Sequence, residues 1–384
     1  MNKILMYTND KIYTTERMTG GIKRFKILYE GLISKGYNVT LYCGEDEKTL
    51  KKYNKNANSI NINNKKKFIF SSVSIMLNNI KLIKKIKKEK YDDVIVFDIP
   101  ACTSLALMRL KNINLFLRQD LIEYRKIILN ENKRGKIFSF FYLKFMHFCE
   151  YICLKHAKKI IVQCNYDLKN ILKRHIFLRN KINRKSFVQI NNVNALWIEE
   201  KSNQNIQNKI DHNYFNICFI GDFSSTRKGH DIFLSAMKEI INNSINVYVI
   251  GDGKYLYQEK EKLKKYNNII FIGRVKNPID FIKQSDLVVV PSKADSCPNT
   301  ILEALYNNVL VIGSNAGGIP EILNDDDMLF ELNSKILSKK VMNIIDDKEI
   351  YKKILIKQKK RREELCFDWV ETIVNILLEG DVSD

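Results

Sequence analysis

Two carboxylates eight positions apart, Asp295 and Glu303, bracket the stretch DSCPNTILEAL at 295–305. The strand-like run DLVVVPS (286–292) leads into it, and a helix starts inside it. Pro298 suits a first helical turn, where its missing N–H is no loss. Amides around Asn299, Thr300 and Ile301 then project from the helix end and, with the helix dipole, form a seat for phosphate. Carboxylates do not bind phosphate; they make strong charge-assisted hydrogen bonds with hydroxyls. Two acids flanking a phosphate seat therefore fit a diphosphate with hydroxyls at both ends, as in a nucleotide sugar. The competing reading is an acid on a solvated helix face.

Two further loops follow strands of the same half. TRKGHD (226–231) offers Arg227 and Lys228, which either clamp phosphates or are plain surface charge. GDG (251–253) marks a turn. His230 reads as structural or solvent-exposed. DDD at 325–327 reads as a solvated turn, not a divalent site. The eight cysteines are scattered without a CxxC pair and read as buried small hydrophobes, so no metal centre is expected.

Repeated units of strand, turn and helix position these loops. KILMYT (3–8), a glycine turn, a helix carrying Ile22, Phe25, Leu28, Tyr29, Leu32 and Ile33 at helical spacing, and NVTLYC (38–43) form a βαβ unit. Further apolar strands are expected at 91–98, 114–120, 160–164 and 187–191, with helices over 70–90 and 134–159. The rhythm restarts with strands at 215–221, 245–253, 269–275, 286–292 and 309–313. Continuous apolar strands alternating with helices predict an α/β fold of two Rossmann-like parallel-sheet domains facing across a cleft. Ligands of such sheets sit outside the carboxyl ends of the strands. The expected boundaries are a first domain at 1–195, a polar linker at 196–213, a second domain at 214–365 and a C-terminal helix at 366–384 returning to the first domain.

The chain has 384 residues, of which 45% are hydrophobic and 28% charged, so two ordinary cores are expected and disorder is not. Its net charge of +21 favours phosphate-bearing partners, anionic lipid or nucleic acid. MNKILM is too short for a signal peptide, and no uncharged apolar window of about 18 residues is present, so a cytoplasmic protein is expected. Two helices carry unusual faces. One sets Lys84, Lys85, Lys87 and Lys88 around Ile80, Ile83 and Ile86. The other carries Phe138, Phe140, Phe141, Tyr142, Phe145, Phe148 and Tyr151, interrupted by Lys144, His147 and Glu150. Each either covers a sheet or lies on an anionic membrane.

In order, the second half reads FIGDFSSTRKG, VIGDG, FIGRV, VVVPS, DSCPNTILE and GGIPE. This succession resembles the nucleotide-binding domain of glycosyltransferase family 4, of GT-B fold and polysaccharide-building type. The first half resembles it more loosely, through TGGIKRF and LISKGYNVTLY. The resemblance implies a retaining transferase (hexosyltransferase type) using a nucleotide sugar, a UDP-sugar, and a glycan or lipid-linked acceptor of bacterial surface polysaccharide synthesis. It implies that Lys228 neutralises the diphosphate, Glu303 holds the ribose and Asp295 touches the transferred sugar. Gly221, Ser296, Cys297, Asn299 and Thr300 would line the donor site, with Arg274 and Val275 beside the base. Gly20 and Gly21 would let backbone approach the donor phosphate and the acceptor, and Gly317 and Gly318 would shape the adjoining loop. Two departures stand out: Asp222 occupies a position where the family commonly has Arg, and Arg118 and Asp120 stand where many members carry His. Either Arg227 supplies the missing charge or the leaving group is held less tightly, and Arg118 and Asp120 are expected to face the acceptor or donor sugar. Charge stabilisation by Lys228, Arg227 and the helix end requires no metal and no cofactor. Peripheral association with the anionic inner membrane fits a lipid-linked acceptor. The alternatives are a GT-B-fold sugar-nucleotide epimerase and, in a different class, a basic nucleic-acid- or membrane-binding protein. No nucleic-acid module is visible in the sequence.

Overall fold

The computed structural model describes the chain apart from residues 1–2, 15–18, 55, 61, 63–75, 132–134, 194–209, 243 and 379–384. The chain divides into two units. The first is Met1–Ile122, Arg134–Gln189 and Asp368–Asp384; the second is Glu123–Lys133 and Ile190–Phe367.

In the first unit the apolar runs become strands Lys3–Tyr7 (β1), Asn38–Cys43 (β2), Ala57–Ser59 (β3), Asp93–Val96 (β4), Ile113–Leu117 (β5), Lys159–Val162 (β6) and Ser186–Val188 (β7). They pair in the order β3-β2-β1-β4-β5-β6-β7, with every pair parallel. The order reverses between β1 and β4, which makes their carboxyl ends the natural ligand position. Helix Gly20–Ser34 (α1) starts at Thr19, whose side chain accepts the Ile22 N–H at 3.3 Å. It buries Ile22, Phe25, Leu28, Tyr29 and Leu32, as the periodicity predicts, but exposes Ile33 and buries Arg24 instead. The reason is the C-terminal helix: the Arg24 guanidinium lies 5.4 Å from the Trp369 ring.

Between these strands lie helices Glu47–Tyr53 (α2), Ile80–Glu89 (α3), Ile99–Leu107 (α4), Leu121–Glu131 (α5), Lys136–His156 (α6), Asn165–Arg174 (α7) and Arg179–Arg184 (α8). The helix expected over 70–90 lies outside the described residues up to 75. In α3, Ile83 and Ile86 are fully buried and Lys84, Lys85, Lys87 and Lys88 are exposed. That helix covers the sheet, and no apolar face remains for a membrane. Helix α6, with 21 residues, is by length and composition alone long and apolar enough to cross a membrane, although Lys144 and Glu150 interrupt the apolar run. It packs Tyr142, Met146, Cys149, Cys153 and Leu154 into the unit, and a third of its apolar window is buried.

The second unit holds Phe215–Ile220 (β8), Ile245–Ile250 (β9), Ile269–Gly273 (β10), Leu287–Val290 (β11), Leu310–Ser314 (β12) and Leu329–Phe330 (β13). Their order is β10-β9-β8-β11-β12-β13, again parallel throughout. The order reverses between β8 and β11. Helices His230–Ile240 (α9), Leu256–Leu263 (α10), Ile279–Lys283 (α11), Asn299–Tyr306 (α12), Ile319–Leu323 (α13), Ser334–Asp346 (α14) and Lys348–Glu364 (α15) accompany the sheet.

Two boundaries differ from the sequence reading. The expected linker lies mostly outside the described residues, but its end does not act as a tether: Ile210 is buried, and the Asn216 amide donates to the Asp211 carbonyl at 3.1 Å. Residues from Glu123 through α5 group with the second unit. The final helix, Trp369–Leu378 (α16), groups with the first. Lys159 Nζ donates to the carbonyls of Ile376 and Leu377 at 2.6 and 3.1 Å, and Lys35 pairs with Glu371 at 2.6 Å.

Candidate donor site in the second unit

The loops after β8 and β11 flank the point where strand order reverses, and both carry the charged residues singled out above. After β8, Asp222 Oδ1 accepts the Ser224 N–H at 2.9 Å. Asp222, at the position where the resemblance implies Arg, therefore shapes the turn, and its charge also acts on Lys228. A 3₁₀ turn, Thr226–Lys228, follows, and Gly229 ends it at φ +73°. A Cβ at Gly229 would lie 1.8 Å from the Pro291 carbonyl oxygen, so this crossing of the two loops accepts only glycine. The Lys293 N–H donates to the Arg227 carbonyl at 2.8 Å and ties the loops together.

This crossing brings Lys228 Nζ onto Asp295 Oδ2 in a direct ion pair. Arg227 Nη1 lies 3.4 Å from the same oxygen and donates to the Ala294 carbonyl at 2.9 Å. Burial raises the Asp295 pKa, but Lys228 and Arg227 outweigh it and hold the carboxyl below its usual value. Burial lowers the Lys228 pKa and Arg227 adds to that, while Asp295 only partly restores it. Asp295 is also fixed from behind. Its carbonyl accepts the Gly318 N–H at 2.9 Å, and Gly317, at φ +61°, would set a Cβ 2.5 Å from that oxygen.

Pro298 caps α12 in an extended conformation, one position earlier than expected. Ser296 and Cys297 are buried in the loop, and Asn299 and Thr300 open the helix half-buried. Asn299 Oδ1 is buried without a hydrogen-bond partner, a polar atom at the helix mouth suited to a ligand donor. Glu303 lies one turn further in and is only 6% exposed, among Ile301, Leu302, Ala304 and Leu305. That removes the reading of a solvated helix face. Gly221 sits at the end of β8, its N–H on the Ile250 carbonyl at 3.0 Å. Arg274 and Val275 follow the edge strand β10, with Arg274 exposed and Val275 half-buried.

Sequence reasoning missed the brace on this loop. Glu131 Oε1 accepts both the N–H and the hydroxyl of Thr226, each at 2.7 Å. The Arg227 guanidinium lies 5.1 Å from the Tyr124 ring. Both partners come from α5, distant in sequence and without a motif to flag them. His230 is buried between the rings of Phe223 and Tyr255, with its pKa lowered by burial, as a structural histidine would be.

In the first unit, Gly21 lies under Arg118: a Cβ there would come 1.9 Å from Nη1. Gly20 and Gly21 open α1. Arg118 Nε donates to the Phe97 carbonyl at 3.0 Å, and its Nη2 lies 3.6 Å from Asp10. Asp98, after β4, caps α4 through the Ala101 N–H at 2.6 Å. Burial and the nearby Asp10 push its carboxyl up to about 6, against the pull of Arg118. Gly21, Asp98 and Arg118 thus gather at the carboxyl ends of β1, β4 and β5. Asp10 and Asp98 were not singled out from the sequence.

Asp120 corrects the sequence reading. It is buried, with Oδ1 on the Ile122 N–H at 3.2 Å and Oδ2 on Arg174 Nη1 at 2.6 Å. Arg174 also forks both oxygens of Glu150, at 3.1 and 3.0 Å, and His175 Nε2 lies 2.7 Å from Glu150. Held in this network, Asp120 positions α7 rather than meeting a sugar. His147, Glu150 and His175 could also be read as metal ligands, since their donor atoms lie within 4.8 Å of one another. Glu150 already takes three donors from Arg174 and His175, which makes the set an ion-pair network. The expected solvated turn at 325–327 is likewise paired, with Lys357 2.8 Å from Asp325 and 2.6 Å from Asp327.

Residues 200–362 match the family of glycosyl transferases group 1. The capsular polysaccharide biosynthesis glycosyltransferase CapH of Staphylococcus aureus is 25% identical over 205 residues, 50% of this chain and 54% of its own. The chain spans about half the length of CapH and of Protein CapJ of the same organism. The Escherichia coli UDP-Gal:alpha-D-GlcNAc-diphosphoundecaprenol alpha-1,3-galactosyltransferase is 33% identical over 134 residues, covering 29% of this chain and 34% of that protein. Among solved structures, Anabaena HepE in complex with UDP-glucose superposes with a TM-score of 0.70 at 15% identity, covering 98% of each chain. At that identity the likeness establishes the fold, which is GT-B.

Proposed function

From its glycosyl transferases group 1 domain we infer that this chain is a glycosyltransferase that moves a sugar from a nucleotide-sugar donor, a UDP-sugar. The acceptor is a glycan or lipid-linked sugar of bacterial surface polysaccharide synthesis. One observation carries the reading: Lys228, Arg227 and Asp295 converge at the strand-order reversal, at the mouth of the helix that buries Glu303 one turn in.

Breaking the anomeric C–O bond leaves charge on the diphosphate. Lys228 and the mouth of α12 stand ready to stabilise it, in a setting where burial strengthens their field. Asp295, freed from Lys228 as the diphosphate takes its place, accepts hydroxyls of the moving sugar. Glu303 accepts the ribose hydroxyls. Transfer proceeds with retention of configuration and without a metal, since protein cations supply the needed charge. The named acceptor of the Escherichia coli relative, a diphosphoundecaprenol-linked sugar, supports a lipid-linked acceptor here. The chain then works peripherally, on the cytoplasmic face of the membrane.

Calorimetry with UDP, and nucleotide release from a panel of UDP-sugars with and without a chelator, test this. Release is expected from at least one UDP-sugar, undiminished by chelation. A charge-assisted hydrogen bond contributes about 1.5–3 kcal/mol, so Glu303→Ala is expected to weaken UDP binding roughly 10- to 100-fold in a folded protein. Unchanged affinity would return Glu303 to a purely structural role.

A further inference from the structure

Eight of the seventeen large exposed apolar side chains among the described residues fall on two short segments, 137–151 and 176–177. The buried face of α6 is Tyr142, Met146, Cys149, Cys153 and Leu154. At about 100° per residue, the opposite face carries Ile137, Phe140, Phe141, Phe148 and Tyr151, all exposed, with Lys144 and Lys155 among them. Ile137 is 76% exposed and Phe141 66%.

A second apolar point adjoins this face. The His175 ring lies 6.2 Å from the Tyr151 ring, and the turn after it presents Ile176 at 70% exposure and Phe177 fully exposed. Between α6 and Arg174 runs a groove of about 460 Å³ walled by Phe140, Phe148 and Tyr151, with Lys144 and Arg174 as its cations. The only acid on α6 is Glu150, and it is buried under Arg174.

We propose that the outer face of α6 and the Ile176–Leu178 turn dock onto the headgroup region of an anionic lipid bilayer. The proposal deepens, and rests on, the peripheral-membrane part of the function given above. Aromatic side chains interleaved with lysines are the chemistry of the bilayer interface, where rings enter the acyl boundary and ammonium groups meet anionic headgroups. Charge decides against a second copy as the occupant, because it would bring the same lysines and the same net +21. Packing decides against a spanning helix, because the opposite face of α6 is part of the core of the unit. The lysine-rich α3, with Ile83 and Ile86 buried, contributes charge but no insertion.

Co-sedimentation of the full chain with vesicles, without any sugar donor, tests this. One set is phosphatidylcholine alone; the other adds phosphatidylglycerol. The parent is expected to pellet with the anionic vesicles, less so as salt rises. The triple variant Phe141→Ser, Phe148→Ser, Phe177→Ser is expected to lose at least about tenfold in partition, at unchanged melting temperature. Equal partition of parent and variant, equal partition onto neutral and anionic vesicles, or no partition of the parent onto either would overturn the proposal. So would a parent dimer, seen by light scattering, that the triple change dissolves. UDP affinity measured on the same two proteins is expected to be equal. A parent that docks yet binds no UDP would sink the transferase reading and leave the docking surface standing.

Discussion

Lys228 sits under opposing influences: burial and Arg227 favour its neutral form, and Asp295 favours the ammonium. Asp295→Asn removes the stronger of two favourable partners, leaving only the weaker pull of Asp222, so the Lys228 pKa falls further. A diphosphate requires the protonated lysine. Donor binding is therefore strongest below that pKa and is lost as pH rises through it. In the variant this loss is expected to set in at lower pH than in the parent, as read from UDP affinity against pH. Identical profiles would mean that another group carries the phosphate charge. Removing one partner of a buried ion pair costs roughly 3–5 kcal/mol, so a lower melting temperature is expected as well. The identities of Lys228, Asp295 and Glu303 were legible in the sequence, because an acid, a helix start and a second acid in register carry a chemical meaning of their own. Their pairing was not legible, because 67 residues separate Lys228 from Asp295 and only the adjacency of β8 and β11 joins them.

At the scale of elements, long apolar runs became strands because strands buried on both faces are built from near-continuous apolar residues. The short strands Ala57–Ser59 and Leu329–Phe330 escaped notice because they sit at sheet edges and carry no such run. Where an apolar run continued past its strand, as at Phe97 and Asp98, the sequence reading absorbed a loop residue that turned out to cap the next helix. Glycine marks the joints. Gly229→Ala would force a Cβ into the Pro291 carbonyl at a left-handed φ. The cost is expected to exceed about 1 kcal/mol, lowering the melting temperature by at least about 2–4 °C. UDP affinity should fall with it, because Lys228 precedes that glycine. A variant matching the parent in both would show that the loop crossing tolerates a shift.

At the scale of the whole chain, the last helix completes the first unit. Trp369, Ile373, Val374 and Leu377 of α16 are buried, and Lys159 caps its final carbonyls. Each such side chain contributes about 1.5–3 kcal/mol when buried, against a typical domain stability of 5–15 kcal/mol. Deleting residues 368–384 is therefore expected to abolish or sharply lower the thermal transition of the first unit while UDP binding by the second survives. Two unshifted calorimetric transitions would show α16 to be dispensable.

By itself the sequence determined the class of fold, the strands of both sheets that bear loops, and the residue types that the second unit gathers at its candidate site. Hydrophobic periodicity and helix-start chemistry are local, and a linear string carries them in full. The tertiary structure alone decided which side chains meet. It withdrew Asp120 into a network with Arg174, gave Asp222 a turn to hold, and set Glu131 and Tyr124 behind the basic loop. It also separated two helices that look alike as amphipathic patterns, burying Ile83 and Ile86 of α3 and leaving Phe140, Phe141 and Phe148 of α6 in solvent. Whether an apolar face is covered depends on what the rest of the chain packs against it, and no local pattern contains that information.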